Sequence, residues 1–472
     1  MNDSKLVRSS LGTFATRIGM SIAIFLGVFY LAVAAGPAVL GTYSLFVAVV
    51  RVFDFLTNVG IDEATQKRIS EGSDRSEFFT AGLLVRVALF VPFACIVLVF
   101  RESVTAYVGH GAVVPFLLVG SLAYFLRRAL EAGLIGEKKV ARAGILQFVF
   151  AASQLLVWVV LVPLGYGLVG VLVGYVVGQL LAIGAGLALH TLALERPSRR
   201  HFRSLYDFAK YSWIGTVTTG AWVWTDTLVL GVFVAQSLIG VYELSWRITG
   251  VLFLLSSAIS RTLFATISDL ATRDDVDRIT EILERSLVYT GILAIPGLVG
   301  GVILAEPLLA MFGEEYRIGA VVVAILILAR LLHSYEVVFG KVIDALDRPD
   351  LTLRANAAFV VANVILNVVA VATVGWIGAA VATTVAMVLK TALSYHYIRS
   401  LVSLTVPLRE ILLEGVAALV MGACLLVLLP ASVGSLPLLE TVFLVAVGAV
   451  VYAVALLALV DRVRVATTRV LF

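Results

Sequence analysis

The stretch Val39–Leu45, V-L-G-T-Y-S-L, recurs 199 residues later as L-I-G-V-Y-E-L at Leu238–Leu244. A second pair of similar stretches, Gly167–Gly170 and Gly375–Gly378, has an offset of 208 residues. Each copy leads into an apolar span, and each offset contains six such spans. An even number of membrane crossings returns the chain to the same side, so both copies share one orientation. The sequence therefore predicts two parallel six-helix repeats.

Apolar residues dominate the whole chain around these motifs. Hydrophobic residues make up 61% of the 472 residues and charged residues 14%, and the mean hydropathy is +1.04. Ordinary soluble domains are about 45–50% apolar and about 25% charged. About fourteen windows of roughly 18–22 apolar residues follow one another, which is too long for barrel strands. We therefore predict an all-α integral membrane protein with about 14 transmembrane helices, formed by two six-helix lobes and two C-terminal helices.

The predicted spans divide the chain into four segments. Residues 1–194 form an N-lobe with spans 1–6, and residues 211–400 form a C-lobe with spans 7–12. Residues 195–210 form a basic, aromatic-bearing cytoplasmic linker that is suited to lie against anionic lipid headgroups. Residues 401–472 hold spans 13 and 14 and a cytoplasmic tail.

Lysine and arginine are unequally divided between the two sets of connections. Of 35 such residues, 27 fall at the termini and on one set of connections, and only Arg101 and Arg317 fall on the other. Cytoplasmic loops carry the excess of positive charge in membrane proteins. The division predicts a multi-pass protein of the plasma membrane with both termini in the cytoplasm.

Six cations lie inside the apolar spans. A cation near the bilayer centre costs about 2.5–3.5 kcal/mol on insertion scales, so six facing lipid would match the stability of a whole protein. A water-filled cavity that binds an anion would remove this cost. Arg17 and Arg86 stand nearer the cytoplasmic face and can instead extend their charge to the membrane surface. The candidate cavity cations are Arg17, Arg51, Arg86, Arg247, Arg330 and Lys390.

Acidic residues in the spans are candidates for structural or coupling roles. Asp54 stands three residues after Arg51, and Glu243 stands four residues before Arg247, so each arginine has a possible helical partner. Asp226 is the most isolated acid; it can pair with a cavity arginine, carry a coupling proton or bind a cation.

The glycines Gly165, Gly167 and Gly170 spell G-x-G-x-x-G, but they lie in a short turn between two apolar spans with no βαβ unit around them, so they do not indicate a nucleotide site. No catalytic set or metal-ligand spacing stands in the sequence, and we expect no enzyme, metal or cofactor.

Several short motifs lie in a fixed order within residues 10–400. They are Gly36–Leu45, Asn58–Ile61, Thr225–Gly231 continuing into Ile239–Tyr242, Phe312–Tyr316 and Ala345–Pro349. Together they resemble the motifs of polysaccharide-biosynthesis flippases, which belong to the multidrug, oligosaccharidyl-lipid and polysaccharide exporter superfamily.

The resemblance implies two lobes around a central cavity that opens alternately to either side. It implies an undecaprenyl- or dolichyl-linked glycan as cargo, flipped from the cytoplasmic to the outer leaflet for surface glycan or glycoprotein assembly. Related lipid II flippases carry cavity arginines on their first, second and eighth spans, which here hold Arg17, Arg51 and Arg247. H⁺, Na⁺ or the membrane potential can drive such transport. Anionic lipids are expected partners, nucleic acid is not, and a monomer is expected.

Two rival functions make different predictions. A cation-coupled multidrug exporter of the same superfamily usually has twelve spans and acidic cation sites, and it would tolerate replacement of Arg51, Arg247 and Lys390. A membrane glycan polymerase or glycosyltransferase would form sugar bonds as purified protein. The short outer loops of this chain argue against the second rival.

Overall fold

The computed structural model describes residues 3–273, 275–429, 438–460 and 462–464, with the side chains of 3–18, 21, 211–222 and 438 left out. The described residues form helices joined by short turns, without a strand among them. Eleven of their helical stretches are long and apolar enough to cross a membrane. The prediction of an all-α, multi-pass membrane protein is confirmed, whereas the count of fourteen spans and the arrangement of lobes stay predictions.

The chain divides into two compact units, Met1–Gly240 and Val241–Phe472. The first unit contains eight complete helices and the start of a ninth. They are α1 (Asp3–Asn58), α2 (Ile61–Ser70), α3 (Arg75–Val99), α4 (Arg101–Val108), α5 (Val113–Gly136), α6 (Val140–Leu161), α7 (Gly167–Leu189), α8 (Arg199–Phe233) and α9 (Gln236–Thr249).

The second unit contains the rest of α9 and eight further helices. A short 3₁₀ segment, Gly250–Phe253, joins α9 to the next helix. The helices are α10 (Leu254–Ala271), α11 (Val276–Ile303), α12 (Ala305–Ala310), α13 (Ala320–Ala345), α14 (Pro349–Val374), α15 (Ile377–Leu401), α16 (Leu408–Leu428) and α17 (Leu438–Leu459).

The two longest apolar stretches among the described residues far exceed one crossing, because about 20 helical residues span a bilayer. Ile22–Asn58 has 37 residues and Val140–Leu189 has 50. Each contains a break in helical geometry. Gly36 has φ 78° and is followed by Pro37, while Gly165 has φ 87°. Glycine adopts positive φ without steric cost, and proline suits the first position of the helix that follows.

The two glycines of the opening repeat meet in the first unit. A Cβ atom added to Gly41 would lie 1.8 Å from the Gln236 carbonyl oxygen, and one added to Gly240 would lie 2.0 Å from the Pro37 carbonyl oxygen. A side chain at either position would therefore collide with backbone. The glycine common to both repeat copies is what allows α1 and α9 to cross with their backbones in contact.

Helix packing places buried polar side chains between helices in each unit. In the first unit α5 packs against α2, α3 and α7, and α1 packs against α6 and α8. In the second unit α13 packs against α10, α11 and α15, and α16 lies between α11 and α17. The charged side chains described below lie mainly on α1, α2, α3 and α5 in the first unit and, as a separate group, on α13 and α15 in the second.

Candidate functional site

Each unit contains a cluster of buried and half-buried charged groups. We call them the unit 1 cluster and the unit 2 cluster, and each is described by itself. Both combine cations with fewer carboxylates and with aromatic rings. The unit 1 cluster consists of Arg51, Asp54, Asp62, Arg86, Tyr124, Arg127, Arg128 and Glu131; the unit 2 cluster consists of Trp246, Arg330, His333, Glu336 and Lys390.

A sharp break between α1 and α2 positions the first carboxylates. Val59 and Gly60 have φ 44° and 80°, so the chain leaves the helix at Asn58 and starts another at Ile61. The Asp62 amide donates a hydrogen bond to Oδ1 of Asn58 over 3.0 Å, which caps the start of α2. The break brings a carboxylate from the start of α2 close to one from the end of α1.

Arg86 of α3 holds these two carboxylates together. Its Nη2 donates to Oδ1 of Asp54 over 2.5 Å and to Oδ2 of Asp62 over 3.1 Å. Arg86 is 1% exposed. A guanidinium group cannot lose its proton in a protein, so a buried arginine needs negative partners to offset lost hydration. The two aspartates supply that charge.

Helix α5 adds two more arginines and one acid. Arg127 donates from Nη1 to Glu131 and from Nε to Oε1 of Gln179, the latter over 2.6 Å. Nη1 of Arg128 donates to Oε2 of Glu131 over 3.3 Å, and its Nη2 lies 3.4 Å from Oδ2 of Asp62. Arg128 therefore joins the α5 charges to those of α2.

Arg127 and Arg128 are among the 27 lysines and arginines that the sequence places at the termini and on one set of connections, and for these two the structure shows a helical position instead. Helix α5 continues to Gly136, and both arginines lie within it. Glu131 stands four residues after Arg127 and three after Arg128, which is the spacing of helical ion pairs. That spacing is the local signal that would have extended the predicted span.

Arg51 differs from the other arginines of the unit 1 cluster. Its Nη1 donates to the Tyr124 hydroxyl, and its guanidinium carbon lies 4.5 Å from the Tyr124 ring centroid. The same hydroxyl donates to Oδ2 of Asp54 over 3.3 Å. Among the described residues no carboxylate oxygen lies within 4.0 Å of the Arg51 guanidinium nitrogens. Four guanidinium groups face three carboxylates, so the cluster carries one net positive charge.

The unit 2 cluster pairs a lysine with an acid on a neighbouring helix. Nζ of Lys390 in α15 lies 3.0 Å from Oε2 of Glu336 in α13, and Ser394 donates to Oε1 of that glutamate over 3.4 Å. Arg330 donates from Nη2 to the Trp246 carbonyl oxygen over 3.2 Å. Its guanidinium carbon lies 3.6 Å from the Trp246 ring centroid, a cation–π contact.

The remaining predicted residues lie in several places. Nε of Arg247 is 3.9 Å from Oε2 of Glu243, and the arginine side chain is 34% exposed. Asp226 is buried in α8. Arg17 lies in the first part of α1, outside the described side chains. Asp54 is predicted to pair with Arg51 one helical turn away, but its ion pair is with Arg86 of α3.

Comparison with known proteins identifies the family. The sequence profile of the family described as polysaccharide biosynthesis protein matches residues 16–318. Two proteins of Haloferax volcanii are similar along most of their length. The one named "probable low-salt glycan biosynthesis flippase Agl15" is 29% identical over 431 residues, which cover 89% of each chain. The one named "probable flippase AglR" is 30% identical over 468 residues, covering 98% of this chain and 97% of that protein.

Solved structures share the fold. Lipid II flippase MurJ in an inward closed conformation has a TM-score of 0.76 at 16% identity, covering 96% of this chain and 98% of that one. An inward-facing multidrug resistance MATE family transporter has a TM-score of 0.65 at 14% identity, covering 82% and 98%. The predicted family and the prediction that the protein is not an enzyme are confirmed. The chain belongs to the polysaccharide biosynthesis protein family of flippases, and it is a membrane transporter rather than a catalytic enzyme.

Proposed function

We propose that this transporter flips a polyprenyl-(di)phosphate-linked oligosaccharide from the cytoplasmic to the outer leaflet of the plasma membrane, for surface glycan or glycoprotein assembly. The names of its relatives support a lipid-linked glycan as the class of cargo. The observation that carries the finer proposal is the net positive charge of the unit 1 cluster, with Arg51 hydrogen-bonded to a neutral phenol.

A phosphate group is the part of the cargo that these charges suit. Guanidinium groups form charge-assisted hydrogen bonds to phosphate, and these bonds are stronger where water is scarce. Arg51 is the group that we assign to the phosphate in unit 1, because Arg86 is already bound to two aspartates. We assign Arg86 and Asp54 a structural role, which is to keep the side chains of that site in position. The other proposed contacts to the anionic cargo are Arg17, Arg247, Arg330 and Lys390.

The proposed mechanism is alternating access, by a monomer with about fourteen spans and both termini in the cytoplasm. An anion that leaves a negative-inside cell gains about 2.3 kcal/mol per charge per 100 mV, so the membrane potential favours export. A coupling ion, H⁺ or Na⁺, would add to this driving force. Asp226, buried in α8, is the acid that we assign to such coupling.

The test compares three variants of purified protein in vesicles that contain a lipid-linked oligosaccharide. Flipping is measured as the fraction of glycan that a membrane-impermeant lectin can reach. Arg51→Gln should slow flipping about 10- to 100-fold, because that is the effect of losing the free energy of one charge-assisted hydrogen bond to the phosphate. Arg51→Lys should retain part of the activity because it keeps the charge. Arg273→Gln, which removes an exposed arginine, is the matched control and should flip at the rate of the unmodified protein.

A strain that lacks the gene provides the second test. Lipid-linked glycan should accumulate on the cytoplasmic face of its membrane, because synthesis continues and export stops. A missing or shortened lipid-linked glycan would instead indicate a glycosyltransferase or polymerase. Full activity of Arg51→Gln together with drug efflux would favour the multidrug exporter.

A further inference from the structure

Glu414 of α16 is a buried acid outside both charge clusters. It is 0% exposed, and neither carboxyl oxygen has a hydrogen-bond partner among the described residues. Within the same part of the chain, no lysine, arginine or histidine nitrogen comes within 4.0 Å of these oxygens. At 1.5 Å per residue, Glu414 lies about 9 Å along the helix from its start at Leu408.

A glycine and two tyrosines from three other helices, α11, α13 and α17, lie around the carboxyl group. A Cβ atom added to Gly291 of α11 would lie 2.0 Å from Oε2 of Glu414 and 2.9 Å from the Tyr335 hydroxyl of α13. The missing side chain at Gly291 therefore leaves room for both polar groups. Tyr452 of α17 is the other neighbouring tyrosine. The hydroxyls of both tyrosines are buried and lack a hydrogen-bond partner among the described residues.

The nearby charges do not compensate Glu414. Glu410 stands one turn earlier on α16 and pairs with Arg462, whose Nε lies 3.1 Å from Oε1 of Glu410. On α11 the charged residue nearest to Gly291 is the exposed Arg285, which pairs with Glu281. The charged neighbours of Tyr335 on α13 belong to the unit 2 cluster, where Glu336 pairs with Lys390.

A cavity of about 390 Å³ reaches the same region of the second unit. Its wall is formed by α9, α11, α13, α16 and α17 and is mostly apolar. Met421 and Leu425 line it from α16, and Tyr452 lines it from α17. Tyr452 therefore belongs both to the cavity wall and to the surroundings of Glu414.

We propose that Glu414 is a proton-binding site inside the membrane-spanning part of the second unit, and that it holds its proton at neutral pH. The carboxylate takes one proton from water and becomes a neutral carboxylic acid, with no other reactant. A neutral acid fits this site because an unpaired buried carboxylate would lose its hydration without a counter-charge. The protonated oxygen gains a donor, and the tyrosine hydroxyls can both donate and accept.

Infrared spectroscopy of the full-length protein in lipid nanodiscs tests the proposal without any transported cargo. A protonated carboxyl group has a carbonyl stretching band that an ionised one lacks. The unmodified protein should show this band at neutral pH, and Glu414→Gln should lose it. Glu410→Gln is the matched control, because it removes an acid one turn away that is paired with arginine; it should keep the band.

Two further readouts make every outcome decisive. Tyr335→Phe and Tyr452→Phe remove the neighbouring hydroxyls and should shift the frequency of the band. Glu414→Gln should melt at the temperature of the unmodified protein, because glutamine has nearly the shape of the protonated acid. A band that persists in Glu414→Gln, or a Glu414→Gln protein that does not fold, would overturn the proposal. Loss of the band when Na⁺ replaces K⁺ at constant pH would also overturn it and indicate a sodium site.

Discussion

Among the described side chains, Arg86 is the most deeply buried cation of the first unit and Glu414 the most deeply buried acid of the second, at 1% and 0% exposure. Their surroundings are opposite. Arg86 donates to two aspartates, whereas Glu414 has two tyrosine hydroxyls near it and no hydrogen-bond partner among the described residues. The charge of buried Arg86 is therefore offset by carboxylates, whereas the described residues offer Glu414 no such counter-charge.

The difference follows from what each side chain can do with its proton. A guanidinium group stays charged in a protein, so a buried arginine must be neutralised by other side chains. A carboxyl group can be neutralised by a proton taken from water. A buried arginine therefore indicates partners on neighbouring helices, while a buried acid with no partner indicates a bound proton. Both rules can be tested by removing partners.

The largest effect is expected when Arg86 loses both acids, in the double variant Asp54→Asn/Asp62→Asn. This leaves a buried cation without a counter-charge and should lower the free energy of unfolding by about 3–5 kcal/mol. The loss should be the same at pH 5 and pH 8, because the guanidinium does not titrate in this range. Reversible unfolding in mixed micelles measures it.

The rescue variant separates charge burial from general damage. Adding Arg86→Met to the two asparagine substitutions removes the orphaned cation and should restore most of the lost stability, since replacing a buried group of three paired charges with neutral side chains is often tolerated. A triple variant as unstable as the double variant would show that packing rather than charge determines stability here.

An intermediate effect is expected for Lys390→Met in the unit 2 cluster. The substitution removes the Nζ that lies 3.0 Å from Oε2 of the buried Glu336, while the Ser394 hydrogen bond to Oε1 remains. Leaving a buried polar group with only part of its partners should lower the free energy of unfolding by about 1–3 kcal/mol. The same unfolding measurement at pH 7 checks it.

The double variant Lys390→Met/Glu336→Gln is its control. With both charges removed, no buried carboxylate is left without its lysine, so this variant should be more stable than Lys390→Met. A double variant as unstable as Lys390→Met would show that the cost comes from packing rather than from the unpaired carboxylate.

The sequence is sufficient to predict a helical membrane protein and to find Arg51 and Arg86 inside apolar runs, because such runs and the charges that interrupt them are local features. It misses Arg127 and Arg128, which stand where the apolar run of α5 ends. It cannot predict the partners. Arg86 binds an aspartate 24 residues away, and Arg51 donates to a tyrosine 73 residues away. Such pairs depend on how helices pack and on the break at Val59 and Gly60, which has no strong local signature beyond its glycine.

The surroundings of Glu414 are also formed by residues that are far from it in the sequence. It lies inside a predicted span, yet its site is formed by a missing side chain at Gly291 and by tyrosines from two further helices. The helical spacing of Glu410 and Glu414 is visible in the sequence, but which of them binds arginine is decided by Arg462 near the end of the described chain. Pairing distinguishes these two acids, and pairing is a property of the tertiary structure.

The smallest effect is expected at an exposed acid of the same helix as Asp62. Glu71 closes α2, is 40% exposed, and accepts a hydrogen bond from Arg68 over 2.9 Å, which lowers the pKa of the glutamate. Because its pKa is lower in the folded state, the pair stabilises the fold above the ordinary carboxyl pKa, and this contribution is lost as the pH falls. Water and salt screen the pair, so Glu71→Gln should cost only about 0.5 kcal/mol at pH 7, less in high salt, and nothing in acid. A cost at pH 7 as large as that of the Asp54→Asn/Asp62→Asn variant would mean that the number of ion pairs, rather than their burial, determines stability in this unit.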